Sequence, residues 1–283
     1  MSNSAGILYI IATPIGNLND ISSRALTILN EVKYIAAEDT RQSKKLLNHY
    51  GIKTRLTSHH KYNERKSEQT LFKSLQSGND IALISDAGTP LVCDPGAGIV
   101  GLCHKSGIKV VPIPGPSALI AALSISGFAS DRFIFEGFLP EKKSLRRKLL
   151  INLINESRTM AFFETPHRIM GSLDDVIDIF SVDRQLFIAR ELTKKFETTY
   201  SGSAGDIRSR LNADIDQQKG EFVILIQGVE KPKPAGELNR DKLLASLLRE
   251  LPLNKASGIV AEVTGESKNS LYKLGLELQK KKP

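Results

Sequence analysis

The stretch IALISDAGTPLVCDPG, residues 81–96, decides the fold of this chain. Its first four residues are apolar, and the loop sequence SDAGTP, residues 85–90, follows at once. A short apolar run bounded by Gly and Pro predicts a buried strand, and the loop after it carries a carboxylate, a hydroxyl and a glycine. Because open α/β sheets bind their ligands at the carboxyl ends of strands, this loop is a candidate binding site.

The stretch KVVPIPGPSALIAAL, residues 109–123, repeats this arrangement. A β-branched strand ends in residues 112–116, and Ser117 then begins an apolar helix whose first backbone N–H groups have no partner within the helix. Either loop alone is also typical of an ordinary connection between a strand and a helix. The two loops together favour a single pocket.

Length and composition place the chain among globular α/β proteins. A chain of 283 residues that is 41% hydrophobic predicts two α/β domains and an appendage. Cys93 and Cys103 have no metal-type spacing, and the sequence shows neither a signal peptide nor an apolar run of transmembrane length. These features indicate a protein of the reducing cytoplasm with no membrane partner.

Positive charge is concentrated in two places, although the net charge of +8 is common among enzymes. Residues 230–283 hold 11 Lys and Arg against 7 Asp and Glu, and EKKSLRRK, residues 141–148, holds five basic residues against one acid. Clustered cations are what binding to nucleic-acid phosphates requires. A solvated helix face explains each cluster equally well.

Two other strand ends carry polar residues. The strand of residues 6–12 ends in TPIGN, and the strand of residues 32–37 ends in Glu38 and Asp39. Adjacent carboxylates can act as acid and base, although Asp39 is also a good helix cap. No G-x-G-x-x-G follows any strand, which argues against a nicotinamide dehydrogenase and against the commonest Rossmann methyltransferase layout.

A histidine pair ends a short strand predicted at residues 54–60. His59 and His60 are adjacent, with no further ligand pattern nearby, so the sequence predicts no metal site. With Asn63 they are expected to line the mouth of a cleft.

The second half predicts a mixed sheet, with strands at residues 132–138, 159–164, 185–191, 198–204 and 221–228. Helices are predicted at residues 142–155 and 169–180, and a short helix from residue 206. Residues 229–236 read as a linker because Pro-Lys-Pro suits neither a sheet nor a helix interior. Three helical patterns follow at residues 241–250, 254–263 and 267–279, the last two separated by a turn of helix-turn-helix length. Such a tail positions a macromolecule, or else it is a packing appendage or a dimer contact. The predicted domains are residues 1–116, 117–229 and 230–283.

Six motifs carry a resemblance to a known family: TPIGNLND, AAEDTRQS, SDAGTPLVCDPG, PIPGPSA, FETPHR and ARELTKKFE. In this order, between residues 7 and 227, they resemble the tetrapyrrole methylase superfamily. Within it they resemble the branch that methylates the ribose 2′-oxygen of a cytidine in 16S rRNA. The resemblance implies two α/β domains with S-adenosyl-L-methionine in the cleft between them, a helical tail, a homodimer, and the small ribosomal subunit as partner.

The resemblance also assigns site residues. Glu38 and Asp39 are the catalytic carboxylates favoured to accept the proton of the ribose 2′-hydroxyl. Asp94 and His60 are other candidates for this role. The predicted cofactor residues are Pro14, Ile15, Gly16, Asp86, Ala87, Gly88, Thr89, Pro90, Pro116, Ser117, Phe163, Glu164, Thr165, Pro166, Arg190, Glu191, Leu192, Gly220, Glu221 and Phe222. The predicted RNA contacts are Arg41, His60, Lys142, Lys143, Arg146, Arg147 and Arg168.

Two rival functions remain open on the sequence. The first is methylation of a corrinoid or porphyrin precursor, whose many carboxylates would also suit a basic cleft. The second is a non-catalytic ribosome assembly factor that retains a donor pocket. The AEDTR and FETPHR motifs and the helical tail favour the RNA branch.

Overall fold

The computed structural model describes residues 5–60, 64–229 and 240–280, and these form two compact units. The first contains the described residues up to 228 except residues 155–157, and the second contains residues 155–157 and the described residues from 229 onward. Asn63 and all of the predicted linker beyond Val229 lie outside the described residues.

The first sheet has five parallel strands in the order β3-β2-β4-β1-β5. They are β1 (Leu8–Ile11), β2 (Tyr34–Ala37), β3 (Leu56–Ser58), β4 (Ile81–Ile84) and β5 (Val110–Ile113). The strand predicted at residues 81–84 has these bounds. Because all the strands run the same way, their polar loops meet at one edge of the sheet.

Helices cover both faces of this sheet, which explains why its strands are apolar without alternation. The helices are α1 (Ser23–Glu31), α2 (Thr40–His49), α3 (Glu64–Gln76) and α4 (Ala97–Lys105). Leu29 of α1 and Leu47 of α2 pack in one core cluster, and Leu75 of α3 and Ile99 of α4 pack in another.

The second sheet is mixed, as predicted, with the order β6-β7-β10-β8-β9. Its strands are β6 (Phe133–Phe138), β7 (Thr159–Glu164), β8 (Gln185–Arg190), β9 (Thr198–Ser203) and β10 (Phe222–Ile226). β6 and β7 are parallel, and the other three pairs are antiparallel. Its helices are α5 (Ala118–Ser126), α6 (Lys143–Asn152), α7 (Ile169–Phe180) and α8 (Ala204–Ala213).

Helix α5 connects the two sheets. It begins directly after the loop that follows β5, and the Ser117 side chain caps it by accepting a hydrogen bond from the Ile120 N–H. Its residues Leu119 and Leu123 nevertheless pack against Val223 and other residues of the second sheet. The chain therefore passes from the ligand edge of the first sheet directly onto one face of the second.

The second unit contains three helices, as predicted: α9 (Arg240–Leu247), α10 (Leu253–Thr264) and α11 (Lys268–Lys280). They pack around a small core of Leu244, Ala256, Val260 and Leu271. Helix α10 ends at Gly265, whose φ of +73° a glycine adopts without strain. No helix in the described part of the chain has the length and apolarity needed to span a bilayer.

Some predicted element bounds are wrong. The helix predicted from residue 206 begins at Ala204, because Ser203 caps it by accepting from the Asp206 N–H at 3.1 Å. The helix predicted over residues 142–155 ends at Asn152, and only Leu56–Ser58 of the strand predicted at residues 54–60 pairs with a neighbour.

A buried carboxylate joins α6 to α7. Asp175 of α7 has no exposed side-chain area, and it accepts from Arg146 Nε at 2.8 Å and Arg147 Nη1 at 2.9 Å. Arg146 is itself buried and also donates to the backbone carbonyls of residues 140 and 141. This arrangement does not support the prediction that Arg146 contacts RNA, since its guanidinium faces the interior.

Asp175→Asn is expected to lower the free energy of unfolding by about 3–5 kcal/mol, because the change leaves the buried Arg146 cation without its partner. Urea unfolding of the full chain measures this. Asp178→Asn is the matched control, since the Asp178 side chain is 58% exposed and also binds Arg147. A loss below about 1 kcal/mol is expected for the control. Equal losses in the two variants would contradict this account.

Candidate functional site

A cavity of about 360 Å³ is lined by loops from both sheets. The loops after β1, β2, β4 and β5 form one side, and β6, β7, β8 and β10 with the segments next to them form the other. The lining residues are Ile15, Glu38, Asp86, Ala87, Gly88, Thr89, Val92, Cys93, Asp94, Ser117, Ala118, Phe138, Phe163, Glu164, Thr165, Ala189, Leu192, Lys194, Glu221, Phe222 and Val223.

Backbone hydrogen bonds lock the loops of β1 and β4 to each other. The Thr13 N–H donates to the Gly88 carbonyl at 2.9 Å, and the Gly88 N–H donates to the Thr13 carbonyl at 3.0 Å. The Thr13 hydroxyl adds a bond to the Ser85 carbonyl at 3.1 Å. Gly88 has a φ of +78°, a conformation that favours glycine. The contact between these two loops therefore depends on a glycine at this position.

The loop of β5 completes this wall. The Thr89 hydroxyl donates to the Pro116 carbonyl at 3.4 Å, which brings the loop after β4 against the residue that precedes Ser117. The structure therefore places SDAGTP and PGPSA side by side along one wall of the cavity.

Gly16 joins this wall to the second sheet. A Cβ atom on Gly16 would lie 2.9 Å from Thr193 Oγ1 and 3.0 Å from the Leu192 carbonyl oxygen. The next residue, Asn17, donates its N–H to Thr193 Oγ1 at 3.1 Å. Glycine is therefore required where the two halves of the site touch, although Gly16 itself does not line the cavity.

On the second-sheet side of the cavity, two carboxylates share one lysine. Lys194 Nζ donates to Glu191 at 2.8 Å and to Glu221 at 2.9 Å. Burial raises the pKa of Glu191, but its bonds to Lys194 and to the Glu221 N–H outweigh burial and hold that pKa below its usual value. Both carboxylates are therefore compensated.

The first-sheet side carries uncompensated negative charge. Glu38, Asp86 and Asp94 line the cavity, and none of the three has a salt-bridge partner among the described residues. Burial raises the pKa of each, and the Asp86 charge raises the pKa values of Glu38 and Asp94 further. The raised pKa values mean that ionisation of these three carboxyls is unfavourable without a positive charge nearby. The site is therefore suited to a cation.

The predicted catalytic pair separates in the structure. Only Glu38 lines the cavity. Asp39 caps α2, accepting from the Arg41 N–H at 2.8 Å and from the Arg41 guanidinium at 3.0 Å, and these bonds lower the pKa of Asp39. The Asp39 N–H donates to Asp86 Oδ1 at 3.0 Å, so Asp39 positions a cavity residue instead of facing the cavity.

Glu164 lines the cavity but already has several partners. Its buried carboxylate accepts from the Ser172 hydroxyl at 2.6 Å, from Arg168 at 2.8 Å and from the Thr165 N–H at 2.7 Å. Arg168 is thus held by β7, and its side chain is only 23% exposed. The prediction that Arg168 contacts RNA is not supported by this arrangement.

Several predicted cofactor residues lie outside the cavity lining: Pro14, Gly16, Pro90, Pro116, Pro166, Arg190, Glu191 and Gly220. Arg190 is buried and donates to the carbonyls of Lys219, Asp216 and Phe196 at 2.6, 2.8 and 3.0 Å. It braces loops next to the cavity and does not face a ligand there.

Sequence reasoning missed Val92, Cys93, Ala118, Phe138, Ala189, Lys194 and Val223 as lining residues. One signal was available. Successive side chains of a strand point to opposite faces of the sheet, so Ala189 and Arg190 of β8 cannot both face the cavity. The prediction selected the wrong one of these two faces. Cys93 carries no such signal. Its φ of +73° sets the direction of its side chain, and the sequence does not predict this backbone conformation.

The remaining predicted RNA residues lie at the surface. The Arg41 and Lys143 side chains are 89% and 70% exposed, and Lys142 is exposed as well. Arg147 is 35% exposed and bound to two aspartates, and His60 is partly buried.

Comparison with known proteins agrees with this architecture. The profile described as tetrapyrrole (corrin/porphyrin) methylases matches residues 7–208, and the profile described as the RsmI C-terminal HTH domain matches residues 235–279. Two relatives named ribosomal RNA small subunit methyltransferase I cover 98% of this chain and 99% of their own lengths. The Pseudomonas aeruginosa protein is 49% identical and the Pasteurella multocida protein 50% identical.

Solved structures share the fold at low sequence identity. Uroporphyrin-III-C-methyltransferase from Thermus thermophilus superimposes with a TM-score of 0.56 at 15% identity, covering 80% of this chain and 96% of that one. Diphthine synthase superimposes with a TM-score of 0.60 at 14% identity, covering 79% of this chain and 90% of that one. On the match over residues 7–208 and the near-full-length relatives, the chain belongs to the family of tetrapyrrole (corrin/porphyrin) methylases.

Proposed function

We propose that this chain is an S-adenosyl-L-methionine-dependent methyltransferase that acts on the 2′-hydroxyl of a cytidine ribose in 16S rRNA. The names of its near-full-length relatives support the RNA substrate. The observation that carries the proposal is the trio of carboxylates Glu38, Asp86 and Asp94, which have no salt-bridge partner among the described residues, in a cavity whose other side combines apolar residues with paired charges.

The cavity fits this cofactor chemically. A sulfonium and an α-ammonium group are cations, and the carboxylate side offers them countercharge. Phe163, Phe222 and Val223 give the opposite side an apolar surface suited to a flat adenine ring. When bound, S-adenosylmethionine supplies a methyl group already attached to a good leaving group.

Glu38 is the proposed base. A ribose hydroxyl is a poor nucleophile at neutral pH, so its proton must be accepted as the new O–C bond forms. Burial and the neighbouring carboxylates raise the Glu38 pKa, which makes its ionised form a stronger base. Asp86 and Asp94 keep cationic groups at this side, and the Asp39 N–H holds Asp86 in place.

The surface supports an RNA partner. Arg41 at the start of α2 and Lys142 and Lys143 at the start of α6 expose cations suited to phosphate contacts. The tail that matches a helix-turn-helix profile is proposed to hold the small ribosomal subunit. A second copy of the chain completes the proposed assembly, which acts in the cytoplasm.

Deleting the gene is expected to remove one 2′-O-methylcytidine from 16S rRNA, and the wild-type gene on a plasmid should restore it. Site-specific mapping of ribose methylation measures both outcomes. A plasmid copy carrying Glu38→Gln should leave the position unmethylated. An unchanged methylation pattern, with purified protein transferring label only to a tetrapyrrole, would overturn the proposed substrate.

Glu38→Gln is expected to reduce single-turnover methyl transfer by about 10²–10⁴-fold, because the amide cannot accept the proton. Its affinity for S-adenosylmethionine should change less than tenfold. Asp20→Asn is the matched control, since Asp20 is exposed and does not line the cavity, and its transfer rate should stay close to that of the wild type. The assignment of the base fails if Asp39→Asn loses the rate and Glu38→Gln keeps it.

Affinity for S-adenosylmethionine should fall on acidification from neutral pH towards about pH 4, where carboxyls ordinarily protonate. Because the Asp86 and Asp94 pKa values are raised, their charge is lost at a higher pH than that of ordinary carboxyls. Calorimetry across this range measures the effect. Asp86→Asn should weaken binding at neutral pH and flatten the pH dependence, whereas Asp20→Asn, at an exposed site, should do neither. A pH-independent wild-type affinity would contradict the countercharge role.

A further inference from the structure

We propose that His59, Glu64 and Glu68 form a binding site for one divalent transition-metal ion of the zinc class. These residues do not line the cavity described above. One ligand atom from each lies within 4.8 Å of the ligand atoms of the other two. An imidazole and two carboxylates are ligand types that zinc accepts.

The fold brings the three side chains together from two elements. His59 follows β3, and its N–H donates to the Ala37 carbonyl at 2.8 Å, which fixes the histidine backbone against β2. Glu64 and Glu68 lie four residues apart at the start of α3 and therefore share one face of that helix. The sequence pattern predicted no metal site because two of the ligands belong to the next helix.

The two contacts of the Ser67 hydroxyl favour one tautomer of His59. The Ser67 hydroxyl donates to the Glu64 carbonyl at 3.1 Å, so its single proton is used there. In that arrangement the hydroxyl accepts from His59 Nδ1, which lies 2.6 Å away. The proton of the neutral ring is then on Nδ1, and Nε2 carries a lone pair. A partner that holds Nδ1 in this way is typical of metal-binding histidines.

The lone pair on Nε2 has no partner among the residues that the structure describes. His59 is 1% exposed, and its Nε2 atom is buried with no hydrogen bond. A buried polar atom without a partner costs free energy, and here two carboxylates converge on the same space. A divalent cation would bind all three groups at once.

Glycines leave room for these ligands. A Cβ atom on Gly98 would lie 2.7 Å from Glu68 Cδ, so only glycine lets that carboxylate lie against α4. The Gly96 N–H donates to Glu64 Oε1 at 3.0 Å and holds the second carboxylate. Ligand atoms around tetrahedral zinc lie about 3.4 Å apart, given bonds of about 2.1 Å, so small carboxylate rotations close the site. Water would fill the fourth position.

The test is titration of the metal-stripped full chain with Co²⁺, followed by displacement with Zn²⁺. One equivalent of Co²⁺ should give the intense visible absorption of a tetrahedral site, and Zn²⁺ should abolish it. Glu68→Gln and His59→Gln should weaken binding at least tenfold. Ser67→Ala, which removes only the partner of Nδ1, should weaken it by about 10–100-fold.

Glu31→Gln and His49→Gln are the matched controls, because both side chains are exposed and remote in sequence from the cluster, and neither should change the titration. If His59→Gln does not fold, the Glu68 and Ser67 variants still decide the question. The proposal is overturned if the wild-type chain takes up no stoichiometric metal. It is also overturned if Glu68→Gln and Ser67→Ala bind as tightly as the wild type.

Discussion

The pair of backbone hydrogen bonds between Thr13 and Gly88 is the constraint on which the rest of the site depends. These bonds fix the loop after β4 relative to the loop after β1, and Thr89 then holds the loop after β5 through the Pro116 carbonyl. Hydrogen bonds between backbone groups position these loops without using the side chains of the residues that line the cavity. The acidic side chains of this wall are therefore left to face the cavity.

Charge is distributed unequally around the cavity, and this asymmetry follows from the two sheets. On the second sheet, Lys194 binds Glu191 and Glu221, and Arg168 binds Glu164. On the first sheet, Glu38, Asp86 and Asp94 have no such cation among the residues that the structure describes. A ligand with a positive charge and an apolar ring would meet complementary surfaces on both sides, as a sulfonium nucleoside does. This match links the fold to the proposed chemistry.

The sequence predicted the elements that have strong local patterns. Three elements have the predicted bounds: β4, β7 and the helix Ile169–Phe180. The spacing of apolar residues in each is clearly that of a buried strand or of an amphipathic helix. Side-chain direction was harder to predict. Arg146 and Arg190 look like surface or ligand-binding cations in the sequence, but partners that are distant in sequence hold both side chains. Such long-range pairing has no local signal.

The most direct test of the account is a crystal structure of the chain with bound S-adenosylmethionine. The account predicts the cofactor in the cavity between the two sheets, with its cationic groups toward Glu38, Asp86 and Asp94 and its adenine toward Phe163 and Phe222. A cofactor bound elsewhere, or bound here with its cationic groups toward the apolar side, would contradict the central claim.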